Sequence, residues 1–145
     1  MCIRDRGDLG EARALCTEAL EIHREIDNRR YEGITLLRMA AAERLGGRLA
    51  EAGTLLEQSE AILASLGESL LVAMFLCERG HWSLTQGLLA TEFLDRAEDL
   101  VRDASAGPES DAGRAIARLR RAIEAYEAGQ PREEIHRGGR KGPRA

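Results

Sequence analysis

Apolar residues recur along this chain with helical spacing, and one stretch of the pattern occurs twice. Residues 47–67 repeat residues 7–27 at a distance of forty positions. The matching pairs are Gly7 and Gly47, Leu9 and Leu49, Glu11 and Glu51, Ala12 and Ala52, Leu15 and Leu55, Ile22 and Ile62, and Ile26 and Leu66. A fixed period of this length is typical of repeat proteins, in which each small helical unit buries its apolar face against its neighbours.

The same pattern predicts the individual helices. Apolar residues three and four positions apart predict helices over 9–26, 31–45, 49–66 and 69–86, another from about Ala90, and a last one that begins near Pro108. Asp8 and Glu11 fit a capping box at the start of the first helix. Gly46 and Gly47 predict a tight turn, because glycine adopts the left-handed backbone without steric cost. The third unit matches at 38 rather than forty residues, so we expect a connection two residues tighter between its helices.

These elements predict an all-α fold, an α-solenoid of antiparallel helical hairpins that ends in a capping helix. Residues 7–129 form the repeat domain, in which 7–27 is the second helix of a truncated repeat, 31–67 and 69–104 are repeats, and 108–128 is the capping helix. Arg114, Arg118 and Arg121 fall on the water-facing side of that last helix. Residues 1–6, MCIRDR, look like a translated sequencing adapter, and residues 130–145 are predicted to be a disordered basic tail. We therefore expect a C-terminal fragment of a longer protein.

Composition narrows the possible functions further. The chain has 43% hydrophobic and 32% charged residues, and no apolar run approaches the roughly 18 residues of a membrane span. Cys16 and Cys77 lie at apolar helix positions, which favours buried thiols in a reducing, cytoplasmic compartment. The net charge of −4 and the few aromatic residues argue against nucleic acid as a partner, although the basic tail leaves that contact open.

No catalytic or cofactor motif is visible. The sequence has no glycine-rich phosphate loop, no paired metal motif and no nucleophile with an obvious base, so we expect no enzyme activity, no catalytic residue and no cofactor. Cys77 and His81 lie four residues apart beside Glu78 and could share a metal, but a zinc site needs three or four ligands. The structural interpretation is therefore preferred. Trp82 is predicted to fill the space between hairpins.

Small residues at the helix crossings, with an alanine early in each second helix and a glycine at the turn, resemble the tetratricopeptide repeat. The residues that carry the resemblance are Leu36, Ala40, Gly47, Ala52, Leu56 and Ser59 in the middle unit and Leu76, Gly80, Gly87, Ala90, Leu94 and Ala97 in the next. A spacing of forty resembles the longer variety of kinesin light chains and of large bacterial signalling proteins. HEAT and armadillo repeats have similar periods but lack this glycine and alanine register. Arg79, Glu43 and Ser83 depart from the pattern, because large apolar or aromatic residues are usual there.

The resemblance implies a concave groove lined by the first helices of successive hairpins. The residues expected there are Ile34, Leu37, Ala41, Arg44, Cys77, His81 and Leu84. We expect this groove to be largely apolar, without a basic cluster, which suits an amphipathic helix; the same residues could instead pack only within the solenoid.

The predicted function is that of a non-catalytic protein–protein interaction module at the C-terminus of a bacterial signalling or regulatory protein. Its partner would be a protein, a peptide or an upstream domain of the same chain. We expect no interaction with a membrane. The alternative is a structural array that oligomerises or senses the state of an upstream kinase, ATPase or transcription-regulator domain.

Overall fold

The computed structural model describes residues 3–129, with side chains for residues 10–129. Six α-helices and no strand occur in this range. They are α1 (Ile3–Glu25), α2 (Arg29–Leu45), α3 (Leu49–Leu66), α4 (Ser69–Thr85), α5 (Thr91–Asp103) and α6 (Asp111–Ala128). The predicted all-α helical repeat architecture is therefore confirmed.

The helices pack as successive antiparallel hairpins. Helix α2 packs mainly on α3, and α4 packs mainly on α5. Helix α4 also contacts both α2 and α6, so α2, α4 and α6 form a row in which each helix lies beside the next. Helices α1, α3 and α5 pack against the flanking members of that row. Helix α6 therefore has the place that the first helix of a further hairpin would take.

Glycines at three turns have the left-handed backbone. Gly47, Gly67 and Gly87 have φ angles of +82°, +73° and +75°, which ordinary side chains rarely adopt. The inference made for Gly47 is confirmed. The expected tighter turn in the third unit is wrong: five residues connect α4 and α5, whereas three connect α2 and α3. The reason is that residues 87–90, which match the first turn of α3, lie outside helix α5.

Two helix starts also differ from the prediction. Helix α1 begins at Ile3, so Asp8 lies inside the helix and the predicted capping box is wrong. Residues before Asp8 continue the helix, so their backbone carbonyl groups accept the hydrogen bonds for which a capping side chain would otherwise be needed. Helix α6 begins at Asp111, where the hydroxyl of Ser110 accepts a hydrogen bond from the Gly113 amide at 3.0 Å.

One continuous apolar core connects α2 to α6. Its members include the fully buried Leu56, Leu63, Ala73 and Leu119. Helices pack closely at glycine: a Cβ atom on Gly80 would lie 2.9 Å from Leu119 Cδ2. A second, smaller cluster of Leu20, Leu36 and Ile62 joins α1 to α2 and α3. Both clusters depend on small residues where helices cross, because only these allow such close packing.

Candidate functional site

A groove runs along the row formed by α2, α4 and α6. Its volume is about 540 Å³. The groove is lined by Leu37, Arg38, Ala41, Arg44 and Leu45 of α2, Met74, Cys77, Glu78 and His81 of α4, and Ala115 and Arg118 of α6. Because every other helix contributes, the surface results from the stacking of hairpins and belongs to no single one.

Five of the seven predicted groove residues lie in this concavity: Leu37, Ala41, Arg44, Cys77 and His81. Leu84 lines an adjoining concavity of about 460 Å³ with Ala122 and Tyr126. Arg44 and His81 border both spaces, so Leu84 extends the same surface along α4. Ile34 lies apart from both and packs partly buried against the main core.

The residues that carried the repeat resemblance lie at helix crossings and turns. Those at crossings are buried, namely Leu36, Ala40, Ala52, Leu56, Ser59, Leu76, Gly80, Ala90, Leu94 and Ala97. Gly47 and Gly87 form the left-handed turns. Ser59 on α3 donates a hydrogen bond to the carbonyl oxygen of Gly33 on α2 at 3.0 Å. These positions hold hairpins together and thereby shape the groove.

A largely buried ion pair joins two helices within the groove. Arg44 on α2 binds Glu78 on α4 in a bidentate arrangement, with Nη2 donating to Oε1 at 3.2 Å and Nε donating to Oε2. The side chains are only 15% and 12% exposed. Burial raises the pKa of Glu78 above its ordinary value, an effect that Arg44 and then Arg118 oppose. The pair therefore fixes the spacing of α2 and α4. Glu78 is the one carboxylate in the groove lining, and it is already paired with Arg44.

Two further arginines line the groove without an ion-pair partner. Arg38 and Arg118 are exposed, and neither forms a salt bridge within residues 10–129. The groove thus contains three arginines and a single glutamate. The expectation that the groove lacks a basic cluster needs correction, because Arg38, Arg44 and Arg118 line it beside its apolar residues. Arg118 is exposed on α6, as its helical spacing predicted, and it borders the groove from that position.

Cys77 and His81 lie in this field of positive charge. Burial raises the pKa of the Cys77 thiol to about 12, so the thiol stays protonated and is a weak nucleophile. Burial first, and then Arg44 and Arg118, lower the pKa of His81 to about 4. The imidazole is therefore neutral at pH 7. Among the residues that the structure describes, no three His, Cys, Asp or Glu side chains come together as a metal site would require.

Sequence reasoning missed Arg38, Leu45, Met74, Glu78, Ala115 and Arg118. The forty-residue offset carried a usable signal for Arg38 and Glu78, which occupy equivalent positions on α2 and α4. The contribution of α6 had no such signal, since its sequence does not follow the repeat. The remaining basic candidates, in the tail from residue 130 onward, lie outside the described residues.

Antiparallel hairpins, left-handed glycine turns and a groove along alternate helices define the class of helical repeat proteins. The family model of the tetratricopeptide repeat matches residues 1–65. This part of the chain is therefore tetratricopeptide-repeat sequence, as the resemblance indicated. The match does not distinguish the longer variety of the repeat. No curated protein and no solved structure shows a significant match.

None of the described helices is both long enough and apolar enough to span a membrane.

Proposed function

We propose that this chain is a non-catalytic module that binds a protein segment in the groove of α2, α4 and α6. Tetratricopeptide repeats are in general protein-interaction modules, and the match over residues 1–65 supports this function. The observation that carries the proposal is a groove lined by apolar residues of all three helices and by two arginines, Arg38 and Arg118, that form no salt bridge within residues 10–129. The segment that fits is an amphipathic helix with an apolar face and acidic residues beside it.

The charges indicate how such a helix would be oriented. Arg44 is already neutralised by Glu78, so Arg38 at one side and Arg118 at the other remain available for acidic side chains. Leu37, Met74 and Ala115, one from each of the three helices, supply an apolar strip of the groove lining. An apolar residue of the ligand would contact this strip, and carboxylates on either side would reach the guanidinium groups. Charged hydrogen bonds of this kind are the stronger ones in interfaces.

We further propose the biological setting that the resemblance indicates. The chain would be the C-terminal part of an array in a larger bacterial signalling or regulatory protein in the cytoplasm. Helix α6 would close that array. The alternative function is an array that oligomerises or senses an upstream kinase, ATPase or transcription-regulator domain. Nucleic acid is the weaker candidate, because the chain has a net charge of −4.

The test is a selection of random displayed peptides on the full chain. We expect enrichment of sequences with acidic residues flanking apolar ones, and we expect the double variant Arg38→Glu and Arg118→Glu to weaken their binding by about tenfold or more. Arg121→Glu is the matched control, since Arg121 is exposed on α6 but does not line the groove. Both arginines of the double variant are exposed, so the fold should be unaffected.

Two results would contradict this function. One is a selection that yields no acidic, apolar-containing peptides. The other is a set of selected peptides that bind the double variant and the Arg121→Glu control equally well, since these peptides would then contact another surface.

A further inference from the structure

Helix α1 presents an apolar stripe to solvent. Leu15, Ile22 and Ile26 are 66%, 55% and 63% exposed. Ile26 directly follows the last residue of α1, and its amide still donates a hydrogen bond to the Ile22 carbonyl oxygen at 3.1 Å. The three residues are seven and four positions apart, so they lie on one side. Leu20, on another side of α1, is buried against Leu36 and Ile62. The exposed stripe is thus additional to the face by which α1 joins the rest of the molecule.

The internal repeat shows what such a face contacts when it is covered. Ile62 of α3 matches Ile22 of α1, but it is only 5% exposed. Helix α2 covers it, and the closest approach is at Gly33, where a Cβ atom would lie 2.9 Å from Ile62 Cγ2 and 2.7 Å from Leu63 Cδ2. Other buried α3 residues, Ala52, Leu56 and Ser59, match residues of α1 that are only half-buried. Helix α1 therefore displays a copy of the surface that α3 uses to bind α2.

The border of the stripe distinguishes α1 from α3. Glu11, Glu18 and Glu25 are seven residues apart, exposed, and form no salt bridge within residues 10–129. They run beside the apolar stripe as a row of negative charge. The matching residues of α3 are Glu51, Gln58 and Ser65, so only one of those three carries a charge. A ligand of α1 would need positive charge beside its apolar face.

We propose that the exposed stripe of α1 binds a partner α-helix of the same kind as α2. That helix would be amphipathic and net basic, with a glycine or alanine where it crosses Ile22, and it would lie antiparallel to α1. The inference concerns a surface other than the groove of α2, α4 and α6 and does not depend on that groove's function. A second copy of this chain is a poor fit, because antiparallel pairing of two α1 helices would place their glutamate rows side by side.

The chain itself supplies a suitable probe. A synthetic peptide with the sequence of residues 28–47 has four arginines and two glutamates, and it contains the small residues Gly33 and Ala40. Labelled with a fluorophore, it should show saturable binding to the full chain by anisotropy. The Ile22→Glu variant should weaken binding by about tenfold or more, and added salt should also weaken it. A Gly33→Leu peptide should bind less well because its side chain meets Ile22.

Matched variants identify the surface. Leu88→Glu is the control for Ile22→Glu, because Leu88 is a similarly exposed apolar residue, 57% accessible, in the connection before α5. It should leave the affinity unchanged, as should Arg118→Glu in the groove. Binding that is lost with Arg118→Glu but kept with Ile22→Glu would overturn the proposal and assign the peptide to the groove. Circular dichroism verifies that each variant is folded.

A peptide of this length is only marginally helical in water, so a second measurement tethers it. Residues 28–47 joined ahead of Met1 by a flexible linker act at a high effective concentration and should raise the thermal midpoint. Ile22→Glu should cancel that rise. An unchanged midpoint together with no binding of the free peptide would overturn the proposal. So would light scattering that shows a dimer of the unmodified chain which Ile22→Glu dissociates, since a second copy would then occupy the stripe.

Discussion

Glu43 is buried in the array and forms ion pairs with two arginines, of which Arg13 donates hydrogen bonds to its carboxylate. Its carboxylate is 2.7 Å from Arg13 Nε of α1 and 2.8 Å from Arg48 Nε in the turn after α2. An unpaired carboxylate at this depth would be strongly destabilising, whereas a doubly paired one is tolerated. Arg79 lies between the rings of Trp82 and Phe93, 5.7 and 5.5 Å from their centroids. Glu43 and Arg79, two of the three departures from the repeat pattern, are therefore accommodated by local contacts, although the buried Nε of Arg79 has no hydrogen-bond partner among the described residues.

His81 should make the stability of the protein depend on pH. In the unfolded chain the pKa of its imidazole is about 6.5. In the folded protein burial, and then Arg44 and Arg118, lower this pKa to about 4. Between these values the unfolded state binds more protons, so stability falls as the pH falls. We expect the wild type to lose about 1–2 kcal/mol more than His81→Gln between pH 7 and pH 4.5, allowing for partial exposure of the ring.

Urea unfolding of both proteins at the two pH values measures this difference. Glu78, whose raised pKa acts in the opposite direction, is present in both and largely cancels in the comparison. Equal losses in the two proteins would mean that His81 is as well hydrated in the folded protein as in the unfolded chain.

At the scale of elements, a helix could be predicted where its own sequence carries apolar spacing and residues that mark its ends. Helix α3 was predicted over the residues that it occupies, because Gly47 and Gly67 mark its ends. Helix α1 was not, since residues 3–8 lack an apolar stripe and yet continue the helix. The groove residues of α2 and α4 followed from the forty-residue offset. The contribution of α6 depends on tertiary packing against α4, and no local pattern reports that contact.

Trp82 connects one hairpin to the next. Its indole Nε1 donates a hydrogen bond to the carbonyl oxygen of Leu49 at 2.9 Å, and its ring lies against Gly53, whose added Cβ would be 2.8 Å from Cζ2. Trp82→Ala removes both contacts and leaves space between α3 and α4. We expect a loss of about 3 kcal/mol in the free energy of unfolding, measured by urea titration.

Leu88→Ala is the control for this substitution, because Leu88 is mostly exposed and should change stability by less than about 0.5 kcal/mol. A Trp82→Ala protein as stable as the control would show that the indole ring contributes nothing to the packing of the two hairpins.

At the scale of the whole molecule, the array has two surfaces of opposite charge. The groove of α2, α4 and α6 contains two arginines that form no salt bridge with any residue from 10 to 129, whereas the exposed stripe of α1 is bordered by glutamates. Repetition of one hairpin produces both surfaces, since stacking aligns the first helices and leaves a second helix with an uncovered face. The two surfaces are separate, and each can be altered by substitutions at exposed residues without disturbing the core.

The measurement that tests the central claim most directly is chemical-shift mapping on the ¹⁵N-labelled full chain, titrated with an acidic amphipathic peptide from the display selection. Binding in the groove should shift amide signals on all three first helices together, including those of Ala41, His81 and Ala115, and leave most of α3 and α5 unaffected. Shifts confined to α3 and α5, or to α1 alone, would contradict the claim that the row of first helices is the binding surface.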